Sequence, residues 1–216
     1  MDVGFVIGAY VLPYLVAYRF GLPVPASWGL LCAFVVASWR LKRAGQGWSD
    51  LGLRMPKRRI RALGWVAVLY GATALVEVLV VRPLAAAAGW PAINLSRFAE
   101  LPGNPTLLAG YLALAWISAA FGEEVMFRGF LLTRFERLAG TGLAATVLGI
   151  VGQALLFGAG HWYLGWHGVA TAASVGLVYG AVYAYNGRNL ASLIVAHGLT
   201  DSLSLIVIYA GMAAIT

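Results

Sequence analysis

The chain has 216 residues, of which 61% are apolar and only 11% charged, with a formal net charge of +7. So few charges cannot cover a water-exposed sphere of this size, which excludes a disordered chain, a disulfide scaffold and an ordinary soluble enzyme. The class left is all-α, a polytopic helical membrane protein. At ~20 residues per span the chain accommodates about seven transmembrane helices (six to eight).

Taken in chain order, the start carries no positive n-region or clear cleavage site, so residues 3–18 are read as a retained first span. A turn at 21–25 leads to a short second span at 27–41, whose Cys32 reads as a small packed hydrophobe. A basic loop covers 40–61, and the third span is placed at 62–81. Residues 82–105 read as a loop marked by Pro83, Pro91, Pro102 and Pro105. A long apolar helix follows at 106–138 and is broken by Gly140-Thr-Gly142. The last three spans are placed at 143–161, 168–185 and 189–211. Residues 1–100 form an N-terminal membrane part that carries little beyond hydrophobicity, and 101–216 form the core that carries the polar motifs, within one membrane domain.

Seven spans allow a charge test. With the N-terminus inside, Arg40, Lys42, Arg43, Arg54, Lys57, Arg58, Arg59, Arg61, Arg134, Arg137 and Arg188 fall on the inner side, and only Arg19, Arg82 and Arg97 fall outside. The positive-inside rule therefore favours N-in, C-out. This distribution assigns the positive charge to a membrane surface and not to nucleic acid. Small-xxx-small pairs at Gly4/Gly8, Ala145/Gly149 and Gly176/Gly180 are expected to let helix backbones approach.

An ionisable group in the hydrocarbon core costs at least ~2.5–3.5 kcal/mol on insertion scales. The first three spans hold one such residue, Glu77, which is expected to snorkel or pair with Arg82. The later spans hold Glu123, Glu124, Arg128, His161, His197 and Asp201. On a helix, residues i and i+4 share a face and adjacent residues do not. Glu124 and Arg128 are then expected to form a structural ion pair, with Glu123 pointing elsewhere as a free carboxylate; the other reading makes all three one packing network. Phe157 and His161 share a face at the end of the fifth span. Trp162, Tyr163 and Trp166 read as an interfacial aromatic belt, with His167 among them. His197 and Asp201 are again i and i+4, either a structural pair or a proton relay.

Three motifs in order, Glu123-Glu124-x-x-x-Arg128, Phe157-x-x-x-His161 and His197-x-x-x-Asp201, resemble those of the CAAX-protease and bacteriocin-processing (CPBP, or abortive-infection) family of intramembrane proteases. The resemblance covers about residues 105–210, and Leu51-Gly-Leu-Arg54 is similar to many members. It implies peptide-bond hydrolysis within the membrane. Glu123 and His161 would activate water, and His197 with residue 201 would help stabilise the oxyanion. Glu124, Arg128 and Phe157 would support the site. Asp201 departs from the asparagine of the eukaryotic branch, because an ionised carboxylate accepts hydrogen bonds and does not donate them. It would be protonated by burial, orient His197, or ligate a metal. Glu123, His161 and His197 also form a two-His, one-carboxylate set of the kind that binds zinc, which leaves a metalloprotease open beside a glutamate-type enzyme.

The resemblance points to a prokaryotic inner or plasma membrane and to a peptide or protein substrate, such as a C-terminal tail or leader peptide. The competing readings are a non-enzymatic peptide-binding or immunity protein and a proton-coupled transporter, the latter disfavoured by the missing inverted repeat. Oligomeric state is not legible in the sequence.

Overall fold

The computed structural model describes residues 2–22 and 24–213. All regular structure among them is helical, in seven long helices and three short 3-10 turns at Trp48–Leu51, Ser96–Phe98 and Trp162–Leu164. These are α1 (Asp2–Arg19), α2 (Pro25–Arg43), α3 (Arg59–Ala87), α4 (Pro105–Ala139), α5 (Gly142–Gly160), α6 (Gly165–Tyr185) and α7 (Ala191–Tyr209). The helices α3 to α7 are long and apolar enough to cross a membrane, and Val3–Arg19 is a shorter apolar helix. Helix α2 falls outside that group; Arg40, Lys42 and Arg43 occupy its last turn, where cations favour the helix dipole. Large apolar side chains such as Leu12, Ile117, Leu143 and Leu155 are exposed, as a bundle solvated by lipid requires. Of the expected turn at 21–25, Pro23 lies outside the described residues.

The sequence-based boundaries hold for α4 to α7 and need one correction. Residues 82–87 are not loop: α3 continues through Pro83 to Ala87. Glu77–Val81 winds as a π-helix, and the Arg82 N–H reaches back five residues to the Glu77 carbonyl. This widened turn accommodates a proline, which has no N–H to donate and would clash in a regular helix. Asn104 caps α4 by accepting the Leu107 N–H, and Gly140 and Gly142, both at positive φ, end it as expected.

Helix α4 is central, packing against α2, α5, α6 and α7. One apolar cluster joins α1, α2 and α4 through Val6, Leu30, Met126 and Phe130. A second joins α3, α4, α6 and α7 through Leu69, Val125, Tyr183 and Leu193. Two of the three small-residue pairs do the work expected of them. A Cβ on Gly176 would lie 2.8 Å from the Ala154 backbone, and one on Gly149 would lie 2.9 Å from the Leu132 carbonyl oxygen. Gly4 and Gly8 face open space and bring no backbone close.

The two ends of the bundle differ. At one end Arg188 pairs in bidentate fashion with Glu136 (2.7 Å each), and Arg134 and Arg137 both donate to Gln46. Arg40 lies over Phe5 of α1, so the start of the chain belongs to this end too. At the other end the Asn94 N–H donates to the Leu164 carbonyl and the Gly103 N–H to the Tyr209 carbonyl.

Leu51-Gly-Leu-Arg54 acts as a clasp at the basic end. The Tyr183 hydroxyl donates to the Leu51 carbonyl, the Leu190 N–H to the Gly52 carbonyl, and the Arg54 guanidinium to the Gly187 carbonyl. Gly52 has φ of 92°, and a Cβ there would collide with the Arg188 carbonyl oxygen. Gly52→Ala is therefore expected to destabilise the protein by about 2–3 kcal/mol, from positive φ and overpacking together. Gly64→Ala, on an open face of α3, is expected to be neutral or slightly stabilising. Thermal unfolding of the two variants in detergent compares them; equal midpoints would refute the clasp.

Candidate active site

Residues Ala115–Leu132 of α4 wind as a π-helix. Hydrogen bonding over five residues turns successive side chains through a smaller angle than α winding does. Neighbouring positions that would diverge on an α-helix can then face one partner. Glu123 and Glu124 do so, both approaching His197 of α7. Glu124 Oε1 lies 2.8 Å from His197 Nδ1, and Glu123 Oε2 lies 3.9 Å from His197 Nε2.

The expected Glu124–Arg128 pair forms, at 2.8 Å, with both side chains fully buried. The Arg128 guanidinium also sits over the Phe157 ring at 4.3 Å and near the Tyr179 ring at 5.2 Å, both favourable cation–π placements. Arg128 Nε and Nη2 have no hydrogen-bond partner, so the rings supply the remaining contact to the charge. Glu124 is thus more than the partner of Arg128, because the same oxygen holds the His197 ring. Nothing in the spacing signals this bond, which joins residues 73 positions apart.

His161 caps the end of α5, and its Nδ1 donates to the Phe157 carbonyl at 2.8 Å. That bond assigns the Nδ1–H tautomer to the neutral ring and leaves Nε2 as an acceptor. Phe157 lies between Arg128 and the His161 ring, whose centroid is 4.7 Å away. Asp201, one turn after His197, places Oδ2 3.5 Å from His197 Nε2. Neither 3.5 nor 3.9 Å makes a good hydrogen bond. His197 Nε2 is therefore held between two carboxylates with its hydrogen-bonding capacity unspent, and Glu123 Oε2 likewise has no hydrogen-bond partner.

Glu123, His161, His197 and Asp201 line one cavity of about 330 Å³, together with Ser118 and Tyr163. Ile93, Leu95, Arg97, Phe98 and Leu164 also line it, at the end of the bundle away from the basic loop. All four expected polar positions thus meet in one space, and Glu124, Arg128 and Phe157 stand directly behind it.

Two further polar residues behave differently from expectation. Glu77 pairs with Arg82 at 3.5 Å as anticipated, but also meets His167 at 3.3 Å and accepts the Thr171 hydroxyl at 2.9 Å. His167 therefore ties α6 to α3 and is not only an interfacial residue.

The donor types at the cavity, two imidazoles and two carboxylates, are ones that zinc accepts. Among the described residues no three His, Cys, Asp or Glu side chains are grouped to hold one ion. Both Nδ1 atoms are engaged, by Phe157 and Glu124, which leaves the two Nε2 atoms toward the cavity.

The helical membrane bundle thus brings glutamates, histidines and an aspartate from successive core helices around one cavity. Residues 105–203, the segment holding all three motifs, match the family described as type II CAAX prenyl endopeptidase Rce1-like, a family of the CPBP group. No curated protein and no solved structure matches the chain.

Proposed function

We propose that the protein is a glutamate-type intramembrane endopeptidase that needs no metal and cleaves a peptide bond of a membrane-associated peptide or protein. The family match supports CAAX-type endopeptidase activity in general. The observation that carries the particular mechanism is the convergence of Glu123, His161, His197 and Asp201 on one cavity with Glu124 behind His197.

In this reading a water molecule sits between the Glu123 carboxylate and His161 Nε2. Glu123 takes its proton as the oxygen attacks the scissile carbonyl, and His161 accepts its other hydrogen and aims the lone pair. The tetrahedral oxyanion is stabilised by the Nε2–H of His197, whose ring Glu124 holds through Nδ1. Asp201 orients the His197 ring and offsets its charge, the second of the roles open to it. The C–N bond then breaks, and Glu123 returns the proton to the leaving amine. Water, carbonyl and amine balance without a further reactant.

The chemistry suits a leader peptide or a C-terminal tail in a prokaryotic inner or plasma membrane. We infer the N-in orientation from the basic end of the bundle, where Arg40, Arg134, Arg137 and Arg188 gather.

The deciding experiment incubates the purified protein with candidate membrane peptides and reads products by mass spectrometry, with and without a chelator. Cleavage that survives chelation is expected. Loss of cleavage on chelation, restored by zinc, would refute the metal-free mechanism, and binding without cleavage of any peptide would favour the immunity-type alternative.

A further inference from the structure

The basic end of the bundle contains a second and larger recess, of about 750 Å³, between the start of α3 and the α6–α7 turn. Four cations line it: Arg54, Lys57, Arg58 and Arg61. No aspartate or glutamate is among its lining residues. This separates it from the other arginines of the same end. Arg188 is neutralised by Glu136, Arg134 and Arg137 converge on Gln46, and Arg43 stacks on Trp39 at 4.4 Å.

The wall of the recess is built. Arg54 is anchored by the carbonyls of Gly187 (2.9 Å) and Ser49 (3.3 Å), which places its guanidinium before any ligand arrives. Asn186 and Asn189 lock the turn, with Asn186 Nδ2 donating to the Asn189 carbonyl and Asn189 Nδ2 to the Arg54 carbonyl. Trp65 and Tyr185 stand beside the cations, as amphipathic rings do at headgroup depth.

The surroundings point to the source of the anion. Met55 lines the recess and is 79% exposed, and Trp65 lines it beside Ala62 of α3. An apolar side chain so open beside four cations suits an acyl chain below a phosphate, whereas a free anion in water has no use for it. Lysine and arginine near an anionic leaflet each contribute about 1 kcal/mol, and basic pockets at helix ends hold acidic headgroups.

We propose that this recess is a binding site for the phosphodiester headgroup of an anionic phospholipid, held by Arg54, Lys57, Arg58 and Arg61 with its chains leaving past Met55 and Trp65. It lies at the opposite end of the bundle from the Glu123 cavity and does not depend on the proteolytic reading.

Native mass spectrometry of the full chain in neutral detergent tests it, with phosphatidylglycerol, phosphatidylcholine and inorganic phosphate as separate probes. Lys57→Ala/Arg58→Ala/Arg61→Ala removes exposed charges at the recess, and Lys42→Ala/Arg43→Ala/Arg137→Ala removes as many elsewhere on the same end. Unfolding midpoints in phosphatidylcholine verify that both variants fold. The expected result is phosphatidylglycerol adducts on the native protein, weakened about tenfold or more by the first triple variant and little by the second. Equal weakening by both would show diffuse surface charge and overturn the proposal. So would phosphatidylcholine binding as tightly, or inorganic phosphate displacing phosphatidylglycerol at comparable concentration.

Discussion

Replacing Glu123 by glutamine is expected to lower peptide cleavage by on the order of 10²–10⁴-fold, the usual worth of a positioned general base. The substitution preserves side-chain volume and removes only the proton-accepting charge. Glu123 makes no hydrogen bond that the fold depends on, and its Oε2 is without a partner, so the unfolding midpoint should stay close to that of the native protein. Glu124→Gln provides the contrast. It touches both Arg128 and His197, so stability and activity should fall together. Full cleavage by the Glu123→Gln protein, measured on a peptide that the native enzyme cuts, would end the proposed mechanism.

The second large effect is structural. Arg128→Met is expected to cost about 3–5 kcal/mol, because it leaves a buried carboxylate that had been paired. Both partners have no exposed side-chain surface, so water and salt do not screen the pair. Methionine retains contact with Phe157 and Tyr179 but not the charge. The double substitution Glu124→Gln/Arg128→Met should recover much of the loss, since no unpaired charge then remains. Chemical unfolding in detergent compares the three proteins. A loss below about 1 kcal/mol in the single variant would mean that His197 alone satisfies Glu124 and that the ion pair contributes little.

Much of this organisation is legible in the residues. Hydrophobic runs mark four of the five long apolar helices closely, because each must fill a bilayer with side chains that lipid accepts. The glycines at 140 and 142 mark the end of α4 because only a residue without a Cβ adopts those angles cheaply. The costly polar residues stand out for the same reason, and their i, i+4 spacing is enough to pair Glu124 with Arg128. The end of α3 is misread from Pro83, since nothing local announces that the preceding turn widens to receive it.

Composition and spacing alone thus determined a helical membrane protein with most of its buried ionisable residues in the last four helices, because the energetic penalty for a charge in hydrocarbon applies residue by residue. Tertiary structure decided which of those charges meet. The bond from Glu124 to His197, the shared approach of Glu123, and the carboxylate-free recess around Arg58 all join segments distant in the chain. Helical periodicity reports only which way a side chain leaves its own axis. How α4 is wound, and which neighbour stands opposite it, depends on packing among helices that no local pattern encodes.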